Sequence, residues 1–235
     1  MTKHSTEKLY INDSYLNSYE SNILEASENY IILDKTVFYA ASGGQPGDTG
    51  KLIIDKNEIE VIDTIYDGDF IKHIINKNKN LKQYKKAKCL INWQKRYSLM
   101  KVHSCLHLLC ALIKSPVTGG SINIDRGRLD FDLEEKPDKE KLSNDLQSLI
   151  NNNYNITSSW ISDEELDKNP NLIRTMSVKP PRGSGKIRMI KIGDNIDYQP
   201  CGGTHVKNTS EIGNIEIIKI ENKGKRNKRI IVSLK

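Results

Sequence analysis

An α+β protein in two parts is predicted: a small, strand-rich domain over residues 1–91, then a helix-and-sheet domain over residues 92–235. Three observations predict it. Short apolar runs bounded by polar and turn residues fill the first part. At Trp93 the apolar spacing changes to steps of three and four. Beyond Pro116, helical and alternating segments are mixed, the pattern of helices packed on a mostly antiparallel sheet.

In the first part, strands are predicted at 29–34, 51–55, 58–63 and 70–75, with Asp67-Gly68 as a turn between the last two. Such spacing suits a small barrel or a sandwich. Residues 11–27 are read as a brief helix. Phe38-Tyr-Ala-Ala-Ser-Gly-Gly-Gln-Pro-Gly-Asp-Thr-Gly50 carries four glycines and a proline in its last eight residues, so it can be neither strand nor helix. Backbone N–H groups at Gly43 and Gly44, and the amide of Gln45, would let such a loop approach a phosphate closely.

In the second part, Tyr97, Met100, His103, Leu106, His107, Cys110 and Ile113 mark a helix from Trp93, and Pro116 stops it. Arg128–Leu133 alternates as a half-exposed strand. Pro137 opens a second helix with Leu142, Leu146, Leu149 and Ile150 buried. Ser162-Asp-Glu-Glu165 is a capping box for a third. Strands follow at 187–192, 215–220 and 230–234. Trp93, Phe131, Cys89, Cys105 and Cys110 are expected in the core, and His4 and His73 at the surface or on a strand edge.

The composition limits the function classes. No run of roughly 18 apolar residues exists, so no membrane span is expected. Residues 1–10 are polar and unlike a signal peptide, and four cysteines without a disulfide-framework spacing suit reduced thiols. A cytoplasmic protein is expected. Net charge is +6, concentrated in three runs: Lys77, Lys79, Lys82, Lys85, Lys86 and Lys88; Lys179, Arg182, Lys186 and Arg188; and Lys223, Lys225, Arg226, Lys228 and Arg229. Such clusters suit a polyanion, though they also occur as solvated faces.

Three of the five histidines and one of the four cysteines lie in two short stretches, His103-Ser-Cys-Leu-His107 and Cys201-Gly-Gly-Thr-His205. Residues four apart on a helix share a face, so His103 and His107 can reach one ion. Cys201 and His205 complete the ligand set zinc favours, with Gly202-Gly203 permitting a tight bend. One zinc ion is expected. Ser104 stands where the zinc-protease motif has its glutamate, so the motif supplies no general base.

The Phe38–Gly50 stretch, His103-x-x-x-His107, Gly-Arg-Leu-Asp-Phe-Asp132 and Gln-Pro-Cys-Gly-Gly-Thr-His-Val206 occur in this order, followed by Asn208-Thr-Ser-Glu-Ile-Gly213 and Glu221-Asn-Lys-Gly224. Together they resemble the AlaX family, free-standing relatives of the alanyl-tRNA synthetase editing domain, from about residue 29 onward. A preceding Gly-rich domain resembles its medium-length subgroup. Ala40 and Ser210 depart from the family's usual proline and glycine.

The resemblance implies a small β-barrel followed by an α+β editing domain. It implies hydrolysis of serine, or alternatively glycine, wrongly esterified to alanine tRNA. It implies one zinc ion held by His103, His107, Cys201 and His205, and tRNA contacts at Gly43, Gly44 and Gln45. The basic runs, with Lys186, Arg188, Lys223 and Lys225 among them, would then position tRNA through its phosphates. The chain length leaves no room for an aminoacylation domain, so no ligase activity is expected. A serine pocket must reward the hydroxyl, because alanine is smaller. Thr118, then Ser104 and Cys105, are the candidates. Two other readings fit the same residues: a non-catalytic zinc-stabilised tRNA-binding module, and editing of another mischarged tRNA as in threonyl-tRNA synthetase.

Overall fold

The computed structural model describes residues 5–78, 81, 83–176 and 185–235. His4, Lys79, Lys82, Lys179 and Arg182 fall outside them. The chain divides into two compact units, Met1–Tyr97 and Ser98–Lys235.

In the first unit β1 (Glu7–Lys8) pairs in parallel with β4 (Lys35–Thr36). The other strands are β2 (Ser18–Ala26), β3 (Tyr30–Leu33), β5 (Gly50–Ile54), β6 (Asn57–Asp67), β7 (Phe70–Ile75) and β8 (Lys86–Ile91). They close a barrel in the order β2-β3-β7-β6-β5-β8, so the barrel expectation holds. Leu33, Leu52, Ile54, Val61 and Cys89 point inward and are fully buried. Closure satisfies the edges that a short sheet would leave bare.

Closure also explains a correction. Residues 11–27 hold no α-helix: a single 3-10 turn covers Leu9–Ile11, and Ser18–Ala26 is a strand paired on both sides. Glu, Leu and Ala in that stretch favour a helix, but the barrel needs a strand bonded to both β3 and β8, and tertiary pairing overrides propensity.

His73 is a second correction. It lies not at the surface but at 0% exposure in β7. Its Nε2 is 2.7 Å from Thr36 Oγ1 and its Nδ1 is 3.0 Å from the Ile31 carbonyl. Burial pulls its pKa from 6.5 to about 4, against the opposing pull of the Ile31 hydrogen bond. The folded pKa is depressed, so between pH 6.5 and 4 the unfolded chain takes up the proton first and stability falls with pH. This group alone is expected to cost about 3 kcal/mol across that window. Urea unfolding of wild type and His73→Gln from pH 7 to pH 4 checks it: wild type should lose its advantage over the variant as pH falls, and a pH-independent difference would refute the assignment.

Helix α1 (Trp93–Leu112) contains the point of division. Asn92 Oδ1 accepts from Lys95 N at 3.1 Å and caps its start. From Val102 to Cys110 every residue is buried, so this helix is covered on all sides rather than along one stripe.

In the second unit β9 (Val117–Asn123), β10 (Arg126–Asp132), β14 (Ile215–Gly224) and β15 (Asn227–Leu234) form a four-stranded antiparallel sheet in the order β14-β15-β10-β9. α2 (Lys139–Asn151), capped by Asp138, buries Leu142, Leu146 and Ile150. β11 (Ile156–Ile161), β12 (Ile187–Ile192) and β13 (Asp197–Pro200) form a separate three-stranded antiparallel sheet. α3 (Asp163–Lys168) has the predicted Ser162 cap, 3.0 Å from Glu165 N. A Cβ placed on Gly127 would lie 2.6 Å from Val102 Cγ1, so glycine lets β10 run hard against α1.

Candidate metal centre

α1 presents His103 and His107 on one face, with ring centroids 5.2 Å apart. The turn after β13 brings up Cys201 and His205. The four ligand atoms lie within 4.8 Å of one another. Cys201 Sγ is 3.5 Å from His103 Nε2 and 3.3 Å from His205 Nε2. Around a tetrahedral zinc, sulfur and nitrogen ligands are held about 3.5 Å apart, so the preformed spacing fits that ion.

The outer atoms of two ligands are held as a metal site requires. His107 Nδ1 is 2.8 Å from Asp197 Oδ2, and Gln199 Nε2 donates to the same carboxylate oxygen at 2.8 Å. His205 Nδ1 is 3.2 Å from Ser104 Oγ, which in turn accepts from Val206 N. Engaging Nδ1 leaves each Nε2 for the ion. Arg188 Nη1 donates to the carbonyls of Cys201 and Gly203 at 3.0 and 2.8 Å, bracing the turn between two ligands.

The charges agree with this arrangement. Burial would raise the Cys201 thiol, but the electrostatic pull of His103 and the hydrogen bonds to His103 and His107 hold it well below its usual range, as a thiolate. Burial, with His103 beside it, holds His205 well below the usual imidazole value and therefore neutral. Burial would also lower His107, but the Asp197 hydrogen bond and the Cys201 sulfur reverse this and push it up to about 10. Ligation requires thiolate and free imidazole nitrogen, so a cation held by these four residues would take the place of the His107 proton.

The other predicted site residues lie as follows. Ser104 Oγ is committed to His205 and Val206. Cys105 is 0% exposed, its thiol pushed up to about 12 by burial, which makes it an inert packing group. Thr118 sits on β9, its Oγ1 3.1 Å from both Asp130 O and Asn227 Oδ1. Gly43 and Gly44 take φ of 57° and 85° in a turn that an L side chain would strain, and no atom lies within 4 Å of a Cβ built on Gly43. Two expected RNA contacts lie inside the protein instead. Gln45 is 2% exposed, and Arg188 is 9% exposed with its Nη1 on the ligand turn.

The third basic run is largely matched within the protein. Lys223 pairs with Glu221, Arg226 with Asp132 and Glu134, and Arg229 with Asp130, while Lys228 is buried. Lys186 and Lys225 remain exposed.

The sequence reading missed Asp197, Gln199 and the bracing role of Arg188. A signal existed. Asp197, Gln199 and Cys201 alternate, so in a strand they share a face.

Comparison with known proteins places this site. Residues 187–231 match the threonyl and alanyl tRNA synthetase second additional domain, and residues 3–95 match the class II (A) tRNA synthetases. An alanyl-tRNA editing protein AlaX-M of Saccharolobus solfataricus is 35% identical over 98% of this chain and 99% of its own length. The chain belongs to the AlaX-M family. A second AlaX-M protein, from Methanosarcina mazei, is 34% identical over 97% of the chain and 96% of its own length. The AlaX-M likeness extends to an alanine–tRNA ligase of Saccharolobus islandicus, 37% identical over 92% of this chain but only 25% of the ligase. Among the described residues, no helix is long and apolar enough to cross a membrane.

Proposed function

We propose that the protein hydrolyses the ester between serine and the terminal ribose of alanine tRNA, with glycine as the second candidate amino acid. The observation that carries this reading is the His103, His107, Cys201 and His205 cluster with its Asp197 and Ser104 supports, in a chain similar over its length to alanyl-tRNA editing proteins. The ion proposed is zinc, which when bound supplies a Lewis acid able to polarise an ester carbonyl or acidify water.

The chain's own residues do the rest. His107 and His205 are fixed by Asp197 and Ser104, so the cluster keeps its shape without substrate. Cys201 is the half-buried member, which places solvent access on its side. Thr118 is proposed to read the serine hydroxyl. Gly43 and Gly44 are proposed to approach the RNA backbone, and Lys186, Lys223 and Lys225 its phosphates. Arg188 is proposed as a positioning residue for the ligand turn.

A time course of seryl-, glycyl- and alanyl-tRNA hydrolysis, with zinc quantified in the same sample, tests the reading. Seryl-tRNA should be cleared and alanyl-tRNA spared, with one zinc per chain. Thr118→Val should narrow that preference by about tenfold or more, because a site that rewards a hydroxyl discriminates strongly. Unchanged preference removes Thr118 from the pocket, and no hydrolysis by a zinc-loaded protein leaves a tRNA-binding module. The family model that covers 187–231 spans threonyl as well as alanyl enzymes, so seryl esters of threonine tRNA belong in the same assay.

A further inference from the structure

Of the exposed large apolar side chains in the second unit, Trp160 has a particular address. It is 48% exposed on β11, an edge strand, in the segment Ile156-Thr-Ser-Ser-Trp-Ile161, where Thr157, Ser158 and Ser159 are small, polar and exposed and the two isoleucines are buried. A single exposed aromatic is ordinary. The register makes this one unusual. Trp160 pairs directly with Arg188 on β12. The next pairing, Met189 with Pro200, is continued by a 3.0 Å bond from Cys201 N to Arg188 O. Trp160, Arg188 and Cys201 thus form one row across three strands.

Side chains alternate along strands and agree in face across pairs. Trp160 and Ser158, Arg188 and Ile190, and Asp197, Gln199 and Cys201 therefore share a face. It is the face turned to the ligand helix, since Asp197 and Gln199 reach His107, and Cys201 reaches His103 and His205. On β12 this face is closed, with Arg188 and Ile190 buried, but on β11 it opens to solvent at Ser158 and Trp160. The indole stands two strands from the thiolate, roughly 10 Å by strand spacing. That separation is comparable with the length of an amino acid esterified to a ribose.

We propose that Trp160 is the stacking platform for the terminal base of the aminoacylated RNA strand, holding that nucleotide while its esterified amino acid reaches the metal centre. The inference rests on the deacylase reading and adds a residue to it. A single-stranded 3′ end is the occupant the geometry fits. Bases of such strands stack on exposed aromatic rings, and an indole offers the largest face. Tyr198, on the opposite face of the same sheet, is not in reach of this path.

The test uses Trp160→Ala and Trp160→Phe in the full chain. Loss of the platform should raise KM for seryl-tRNA about 5- to 100-fold, the range for losing one stacked base, with kcat little changed. Trp160→Phe should recover most of the loss, and thermal unfolding should be the same in all three proteins. A second readout does not need hydrolysis. The chain has two tryptophans, so Trp93→Phe leaves Trp160 as the single indole. Its fluorescence should be quenched by a deacylated acceptor-stem minihelix with a single-stranded 3′ end, and not by the same minihelix with that end removed. A KM for Trp160→Ala within twofold of wild type, in a protein that still deacylates, overturns the inference and leaves the proposed function standing. If wild type does not deacylate, the proposed function fails, and the minihelix titration alone decides the platform: unchanged fluorescence with bound minihelix overturns it.

Discussion

His107→Ala is expected to remove the bound metal and to lower deacylation about a thousandfold, the order supplied by several kcal/mol of metal-assisted charge stabilisation. His107 is tightly held among the four candidate ligands. It is rigid on α1, 6% exposed, and tied through Nδ1 to Asp197. Asp197→Asn should behave differently. It keeps the size of the side chain but removes the charge that orients the ring, so metal affinity should fall about 10- to 100-fold. Added zinc should then restore Asp197→Asn and not His107→Ala. Metal content after dialysis, titration with a competing chelator, and seryl-tRNA hydrolysis with and without zinc separate the two. Full activity in metal-free His107→Ala would end the case for a metal-dependent deacylase. Equal response of both variants to zinc would show that Asp197 does not act through His107.

How much of this could be read from the sequence differs by element. His103 and His107 were legible because helical spacing fixes their separation, and Cys201 with His205 because two glycines between them allow the bend. Asp197 and Gln199 were legible only in principle. Their alternation with Cys201 is clear once β13 is known, yet Asp-Tyr-Gln-Pro is short and polar and does not announce a strand. β9 has two glycines and a threonine, and β11 is four-sixths exposed polar or aromatic surface, so neither carries an apolar period. Such strands are set by their neighbours' hydrogen bonds rather than by their own side chains. Charge was the least legible property. The third basic run counts as strongly positive along the chain, but folding sets Arg226 and Arg229 against Asp132, Glu134 and Asp130, which are about a hundred residues earlier. Arg188, counted as RNA-facing, is buried, with its Nη1 on the carbonyls of Cys201 and Gly203.

Arg96→Met is expected to destabilise the first unit by about 3–5 kcal/mol, the cost of leaving one member of a buried ion pair without its partner. Both members are enclosed: Arg96 is 0% exposed and Asp48 1%. The guanidinium makes a forked contact with the Asp48 carboxylate and also donates to the carbonyls of Val37 at 2.7 Å and Ser14 at 3.0 Å. Asp48 accepts from Tyr39 N at 2.7 Å, and its own N–H returns to the Tyr39 carbonyl at 2.9 Å. Val37, Tyr39 and Asp48 stand at the two ends of the Gly43-Gly44 loop, so the pair pins the base of that loop while its tip stays open. Removing the arginine strands a carboxylate and two carbonyls in the interior, and each unsatisfied group adds its desolvation cost. Arg96→Met with Asp48→Leu should lose less than the sum of the single losses, because the double variant buries no orphan charge. Urea midpoints for the two single variants and the double give that coupling directly. Additive losses would mean that the pair does not act as a unit. Seryl-tRNA KM measured on the same proteins then reports whether the pinned loop contributes to RNA binding. A rise confined to the variants that loosen its base is the expected result, and a KM unaffected by a loss of several kcal/mol would separate the Gly-rich loop from recognition of the RNA.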